Sequence, residues 1–262
     1  MSRRNVILFG GSGVGKSSVV NMLAGYNVAD TSSGATGCTF KNAGYDVDIC
    51  GIPFRLHDTA GLNEGDEGRI PNSDAIVQLY TLLKRLDDGL SLLVFCMKAP
   101  RLTESAPSNW KLFHEVMCKR NVPIVMVITG LELERDMNAW WTTNKDSFRK
   151  NGMLPSGQPA CITAIKGKEK RGVFFLQEEY DESRGKVQQL ILDNYMESPW
   201  KMESVRWFNE LIHETTYSYK CFKRQEHKRV VGEIKGAMDE LVTKCGMSEE
   251  DARALATRLD RI

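Results

Sequence analysis

The sequence predicts an α/β fold with a mostly parallel central sheet and helices on both of its faces. Three continuous apolar runs, Val6–Phe9, Leu90–Met97 and Pro123–Thr129, have the length and pattern of strands buried on both sides. One helical pattern begins near Lys16, and another covers Met137–Lys150. Strands that alternate with helices favour parallel pairing, and such sheets bind ligands beyond the carboxyl ends of their strands.

The remaining elements of this domain follow from shorter patterns. Tyr45–Cys50 and Ile52–His57 are expected to be two strands joined by a tight turn, Ser105–Arg120 a helix, and Ala160–Ala164 a last short strand. From about Ser183 onward the pattern is helical. We place the domain at residues 1–216 and a helical extension at residues 217–262.

The extension carries an apolar stripe at three- and four-residue steps, preceded by several lysines and arginines. The stripe consists of Val231, Ile234, Met238, Leu241, Val242 and Cys245. Its aliphatic composition favours packing on the domain or self-association. A basic amphipathic helix that binds a membrane surface or a partner is the alternative.

Composition and charge exclude several other classes of protein. With 42% hydrophobic residues, 26% charged residues and a net charge of +1, the chain has no global field that would attract nucleic acid. Seven scattered cysteines without C-x-x-C spacing predict reduced thiols and a cytoplasmic location. The first residues do not resemble a signal peptide, and no apolar run is as long as a membrane span. We expect no nucleic acid partner and at most a peripheral membrane contact.

A phosphate-binding loop follows the first strand. Gly10–Ser17 matches G-x-x-x-x-G-K-[ST] at every fixed position and lies between a buried strand and an amphipathic helix. Glycines let successive N–H groups point at phosphate oxygens above the positive end of the helix. Lys16 is expected to reach the β and γ phosphates, and the Ser17 hydroxyl to ligate Mg²⁺. The predicted phosphate contacts are Gly11, Ser12, Gly13, Val14, Gly15, Lys16, Ser17 and Ser18.

A second anchor follows the strand that ends at His57. Asp58 is expected to hold Mg²⁺ directly or through water, and the Gly61 N–H to contact the γ-phosphate. The acidic and glycine-rich residues that come next suit a switch segment. Between the two motifs, a Ser/Thr-rich stretch occupies the place of a first switch, where Thr36 is our choice of magnesium ligand and Thr39 the rival.

Together these motifs resemble the translation-factor-related class of GTPases, in whose Ras-like members a glutamine follows Asp-Thr-Ala-Gly and orients the attacking water. Here that residue is Leu62, so slow intrinsic hydrolysis is expected. His57 lies beside the site but faces the opposite way from Asp58 on a strand, which predicts a packed residue rather than a base.

Base recognition is expected after the strand that ends at Thr129. GTPases usually carry Asn/Thr-Lys-x-Asp there, and this chain has Thr129, Gly130 and Glu132 at the corresponding positions. Glu132 offers the same pair of acceptor oxygens to guanine, whereas Gly130 replaces the lysine that packs along the base. Thr163-Ala164 is similar to the Ser-Ala motif whose backbone N–H meets the guanine O6.

The layout over residues 5 to 195 resembles the AIG-type GTPases, a septin-related group of immunity-associated and chloroplast import GTPases. Pro100-Arg101-Leu102-Thr103-Glu104 is similar to a Gly-Arg-Tyr/Phe-Thr-Glu segment of that family. The resemblance implies a homodimer through the nucleotide face, in which Arg101 reaches the nucleotide of the other subunit. The alternative is that Arg101 is a solvated surface residue.

The motifs predict a protein that binds GTP or GDP with Mg²⁺ and hydrolyses GTP slowly, with Lys16 and a trans-acting Arg101 as catalytic residues. A GTP-gated scaffold with negligible hydrolysis, which recruits an unknown protein effector, is the alternative. An ATPase or kinase is a third interpretation, against which Glu132 argues weakly.

Overall fold

A computed structural model describes residues 3–29, 43–59, 73–202 and 239–260. The core of the fold is one six-stranded sheet in the order β2-β3-β1-β4-β5-β6, in which β2 and β3 are antiparallel and the other neighbours parallel. Its strands are β1 (Arg4–Phe9), β2 (Ala43–Ile49), β3 (Ile52–Asp58), β4 (Leu90–Lys98), β5 (Ile124–Thr129) and β6 (Ala160–Cys161). The predicted mostly parallel α/β fold is confirmed.

Helices cover both faces of the sheet. They are α1 (Lys16–Ala24), α2 (Ser73–Arg85), α3 (Ala106–Trp110), α4 (Met137–Lys150), α5 (Gln177–Asn194), α6 (residues 239–245) and α7 (Glu249–Asp260). A π-helical segment, Lys111–Met117, continues α3, and a small hairpin of β7 (Glu169–Lys170) and β8 (Val173–Phe174) precedes α5. Among the described helices, none is long and apolar enough to cross a membrane.

Alternation along the buried strands divides the core into two halves. In β1, Val6 and Leu8 pack with α1 and α5, whereas Ile7 and Phe9 face α2 and the π-helical segment. Phe9 stacks on Phe113 with a centroid distance of 3.9 Å. Because β1 is buried on both faces, its continuous apolar run is what a central parallel strand requires.

The β7–β8 hairpin was not predicted, and four other elements also differ from the sequence prediction. Helix α2 was not predicted, and the helix expected over Ser105–Arg120 changes from α to π geometry at Lys111. Helix α5 begins at Gln177, where Glu178 and Glu179 complement its positive end. The strand expected over Ala160–Ala164 ends at Cys161 because the Thr163 hydroxyl then donates to the Ile165 carbonyl and turns the chain away.

The described end of the extension packs on the α2 face of the sheet. Leu241 and Cys245 of α6 are buried there, together with Leu255 and Leu259 of α7. These side chains meet α2 and the π-helical segment in one continuous apolar cluster. This arrangement agrees with the packing interpretation of the apolar stripe. The division of the chain at residue 216 stays a prediction, and the stripe before Leu241 lies outside the described residues.

Candidate nucleotide-binding site

The loop between β1 and α1 depends on glycines at fixed places. Gly10, Gly13 and Gly15 have φ values of 149°, 70° and 93°, in a region that side chains other than hydrogen disfavour. A Cβ atom on Gly10 would lie only 2.1 Å from the Cys96 carbonyl oxygen of β4. The sharp loop is therefore available only to a glycine at this position.

The Lys16 side chain turns back into the loop. This residue is only 7% exposed, and its Nζ donates to the carbonyl oxygens of Gly11 at 2.8 Å and Gly10 at 3.3 Å. Helix α1 has no acidic residue in its first turn, so its N-terminal N–H groups and the ammonium form a concentrated positive site. Of the other predicted phosphate contacts, Ser12 and Gly13 are exposed, while Gly11, Val14, Gly15, Ser17 and Ser18 are half-buried.

The two predicted magnesium ligands of the described chain are in contact. The Ser17 hydroxyl donates to Asp58 Oδ2 at 2.5 Å. The other carboxylate oxygen, Oδ1, is buried and has no hydrogen-bond partner among the described residues. Burial raises the pKa of Asp58, against the lowering effects of the Ser17 hydrogen bond and the Lys16 charge. A buried oxygen without a partner, beside a hydroxyl, fits Mg²⁺ or one of its waters, because Mg²⁺ prefers oxygen ligands and keeps several waters.

The end of β3 is tied to the loop strand. Leu8 pairs with Asp58, and the next residue, Thr59, donates from its hydroxyl to the Leu8 carbonyl at 2.8 Å. These bonds fix the strand end on which Asp58 lies. The other predicted switch residues, Thr36, Thr39, Gly61 and Leu62, lie outside the described residues.

His57 is a packed residue, as the strand alternation predicts. It is 5% exposed, and its Nε2 lies 3.0 Å from Asn5 Oδ1, which accepts the hydrogen bond. Burial, helped by the Arg55 charge and opposed by Asp46, lowers the pKa of His57 to about 4. The imidazole is neutral near pH 7, and its contact is directed at β1.

Thr129, predicted to contact the base, joins two parts of the site. Its hydroxyl donates to the Val14 carbonyl at 2.7 Å, so the end of β5 holds the phosphate loop. Gly130 follows with a φ of 78°, and a Cβ there would lie 2.9 Å from Lys98 Cγ. Glu132 is half-buried two residues further on. Residues 129–132 thus begin beside the phosphate loop and lead away from it.

Thr163-Ala164 lies beside this segment because β6 is the neighbour of β5. The Ile162 N–H donates to the Ile128 carbonyl at 2.9 Å, which brings the two strand ends together. The Thr163 N–H donates to Ser183 Oγ of α5 at 3.1 Å. The Thr163 N–H is therefore already bonded within the protein. Ser183 is a support that sequence reasoning missed, and nothing in its sequence context signals it.

Arg101 is exposed in the loop after β4. The loop lies along the same sheet edge as the other site residues, since the Ala99 N–H donates to the Thr129 carbonyl at 2.9 Å. An exposed guanidinium at this edge is available to a neighbouring molecule, although exposure is also what a solvated surface arginine has.

Comparison with known proteins shows what this domain is similar to. Residues 5–129 match the family model of the 50S ribosome-binding GTPase. The mitochondrial tRNA modification GTPase mss1 of Schizosaccharomyces pombe is 30% identical over 175 residues, which are 66% of this chain and 34% of that protein. GTPase Der of Campylobacter curvus is 33% identical over 141 residues, or 53% of this chain and 28% of that protein. The chain thus spans about a third of the length of these relatives. Both relatives are named as GTPases.

Solved structures show the same fold at low sequence identity. Era from Aquifex aeolicus bound to GDP and AlF4⁻ has a TM-score of 0.52 and 20% identity, covering 75% of this chain and 58% of Era. A dimerisation-deficient Toc33 from Arabidopsis thaliana also has a TM-score of 0.52, with 18% identity over 74% of this chain and 87% of Toc33. Since both scores are equal, the fold does not single out the AIG-type subgroup. The chain contains a G domain with the P-loop GTPase fold.

Proposed function

We propose that the chain binds GTP with Mg²⁺ at the carboxyl edge of the sheet and hydrolyses it slowly to GDP and phosphate. The observation that carries this proposal is the contact between Ser17 and Asp58, next to the ammonium of Lys16, with one Asp58 oxygen buried and without a partner in the described part of the chain. In this assignment, the loop residues from Gly11 to Ser18 and the Gly61 N–H hold the phosphates. Ser17, Asp58 and Thr36 are the magnesium ligands.

Bound Mg²⁺ would neutralise charge on the β and γ phosphate oxygens. The work of this chain's own residues is to position groups and stabilise charge. Lys16 and the loop N–H groups stabilise the charge that develops while water attacks the γ-phosphoryl group. Leu62, in place of a glutamine, cannot orient that water by a hydrogen bond, so the intrinsic rate is slow.

The base site is assigned to the ends of β5 and β6. Glu132 accepts hydrogen bonds from the guanine N1–H and exocyclic amine, and the Ala164 N–H donates to O6. Thr129 and Thr163 position this site through their bonds to Val14 and Ser183. A carboxylate in this role favours guanine, because adenine presents no matching pair of donors.

The finer part of the proposal is activation by a second copy of the chain. The AIG-type resemblance assigns Arg101 to the nucleotide of the partner subunit, and its exposure at the sheet edge supports this role. Toc33, which has a similar fold, is described as a protein whose dimerisation is important for GTPase activity. An arginine supplied in this way raises GTPase rates by roughly 10³ to 10⁵.

The test is GTP hydrolysis per subunit across a series of protein concentrations, for wild type, Arg101→Ala and a control, Arg135→Ala, at another exposed arginine. Nucleotide affinity is measured in parallel. We expect the wild-type and control rates to rise with concentration, and Arg101→Ala to bind GTP without that rise. A rise retained by Arg101→Ala contradicts the trans-acting arginine but leaves GTP hydrolysis intact.

A GTP-gated scaffold is the second candidate, and Leu62 is the observation that favours it. A rate that is low and flat with concentration for all three proteins supports this alternative. The third interpretation, an ATPase or kinase, requires ATP to compete equally with GTP, which the same binding assay measures.

The names of the relatives also bear on the partner. The expectation of no nucleic acid partner contrasts with relatives named tRNA modification GTPases and with Era, which is known in complex with 16S ribosomal RNA. Fluorescence anisotropy of labelled tRNA, with GTP or GDP present, tests this expectation. Nucleotide-dependent binding at physiological salt would overturn it.

A further inference from the structure

Gly130 is covered by the side chain of a neighbouring strand. A Cβ atom built on Gly130 would lie 2.9 Å from Lys98 Cγ and 3.3 Å from Lys98 Cε. The aliphatic stem of Lys98 therefore runs across the glycine, in the space that a side chain at position 130 would fill. The positive φ of Gly130, 78°, further disfavours any other residue there. Position 130 has no side chain, and Lys98 supplies one from the adjacent strand.

Lys98 comes from a strand that lies between the two halves of the site. It is the last residue of β4, pairs with Thr129 of β5, and is exposed. β4 is also the neighbour of β1, which leads into the phosphate loop. Cys96, two residues earlier, packs in the core half that contains α1, so alternation places Lys98 on the α1 face. The phosphate loop enters α1 on this same face.

We propose that Lys98 packs its stem against the purine base of the bound nucleotide, in place of the lysine missing at position 130. This inference rests on the proposed function, because it assumes that the base lies at Gly130 and Glu132. The methylene groups of the stem provide an apolar surface for a flat ring, and the ammonium adds attraction to its π face.

The two side chains then have separate tasks. Lys98 contacts the ring face, which guanine and adenine share, and so contributes affinity for any purine. Glu132 contacts the ring edge, where the two bases differ. Loss of Lys98 should weaken the affinities for GTP and ATP by the same factor. Loss of Glu132 should instead change the ratio of the two affinities.

The test is nucleotide affinity of Lys98→Ala, Lys98→Met and the control Lys150→Ala, which alters an exposed lysine of α4. Three competitors are titrated against a fluorescent GDP analogue: GTP, ATP and inorganic tripolyphosphate. We expect Lys98→Ala to lose GTP affinity by about tenfold, as the loss of a desolvated cation and its stem implies. The variant should keep the wild-type affinity for tripolyphosphate, which has no base. The GTP affinity of Lys98→Met should lie between those of wild type and Lys98→Ala, because methionine keeps an apolar stem.

Three results would overturn the proposal: unchanged GTP affinity in Lys98→Ala, an equal loss for GTP and tripolyphosphate, or a Met variant no better than the Ala variant. The second result would make Lys98 a cation that attracts phosphate. Failure of the proposed function would look different, because wild type itself would then bind no guanine nucleotide. That result would contradict the Lys98 contact as well.

Discussion

The Ser17 hydroxyl donates a 2.5 Å hydrogen bond to Asp58 Oδ2 and so joins the start of α1 to the end of β3. Two residues that are 41 positions apart meet because β1 and β3 are parallel neighbours whose carboxyl ends lie at the same edge. The bond satisfies only one oxygen of the carboxylate. The other is buried without a partner among the described residues, which makes Asp58 a group whose ionisation costs free energy until a cation arrives.

Asp58→Asn should therefore stabilise the nucleotide-free protein while weakening nucleotide binding. The folded-state pKa of Asp58 is raised above 3.8, so the stability that its protonated form contributes is complete below pH 3.8 and is lost as pH rises through the raised pKa. Asparagine stays neutral and avoids that loss. We expect a higher Tm at pH 7 without nucleotide, and a Mg²⁺-dependent GTP affinity lower by roughly 10- to 100-fold.

The measurements are differential scanning fluorimetry and GTP titration with and without Mg²⁺. Asp87→Asn, at an exposed aspartate, is the control and should change neither value. Equal Mg²⁺ dependence of GTP binding in Asp58→Asn and wild type would show that Asp58 does not hold the cation.

Gly10→Ala should unfold the protein at lower urea than wild type. The added Cβ would lie 2.1 Å from the Cys96 carbonyl oxygen, so either the loop or β4 must shift. We expect a loss of about 3 kcal/mol or more in the free energy of unfolding. Gly13→Ala is the matched comparison. Its φ is 70°, but apart from the adjacent residues no atom of the described ranges lies within 4 Å of the added Cβ, which predicts a loss of about 1 kcal/mol. Equal losses in urea denaturation would mean that the clash with β4 is relieved at little cost.

Acid should destabilise the protein through His57. Its pKa is lowered from 6.5 to about 4, so the folded protein resists protonation and the stability from the neutral ring is present above pH 6.5 and lost as pH falls to about 4. This difference corresponds to about 3 kcal/mol. His57→Gln keeps a donor for Asn5 Oδ1 but does not titrate in this range.

Urea denaturation of both proteins between pH 7 and pH 4 checks the prediction. Asp58 has the opposite pH dependence in part of this window, and taking the difference between wild type and His57→Gln removes that contribution. Parallel curves for the two proteins would show that His57 is not the group responsible.

Leu255→Ala should destabilise the whole domain, although it lies near the end of the chain. Leu255 is 1% exposed and packs in the core half that contains α2. Removing a buried leucine side chain costs about 2–5 kcal/mol. Arg253→Ala, on the exposed side of α7, should cost less than about 0.5 kcal/mol. A single urea transition for Leu255→Ala at lower midpoint is the expected result, and a separate early transition would show that α7 unfolds independently.

The buried strands and the phosphate loop could be predicted because their signals are local. Val6–Phe9 has the continuous apolar pattern of a central strand, and Gly10–Ser17 follows it directly. Helix α2 also has a local signal, since its buried residues Ile76, Leu79, Tyr80 and Leu83 are spaced for one helical face.

Other parts of the site depend on contacts between distant residues and have no local signal. The Thr129 hydroxyl bonds the Val14 carbonyl 115 positions away, so a residue assigned to the base also supports the phosphate loop. Lys98 crosses Gly130 because β4 and β5 are paired in one particular register. The change to π geometry at Lys111 likewise has no signal in the spacing of apolar residues, which is helical throughout Ser105–Arg120.

The packing of α7 on α2 has a consequence for synthesis of the protein on the ribosome. Ile76 and Tyr80 emerge early, whereas Leu241, Leu255 and Leu259, which complete their apolar cluster, are added about 160 to 180 residues later. During elongation this face has no native cover, and an uncovered apolar surface on a nascent chain is open to aggregation. Chaperone binding to stalled nascent chains should therefore persist until residues 241–259 have left the exit tunnel.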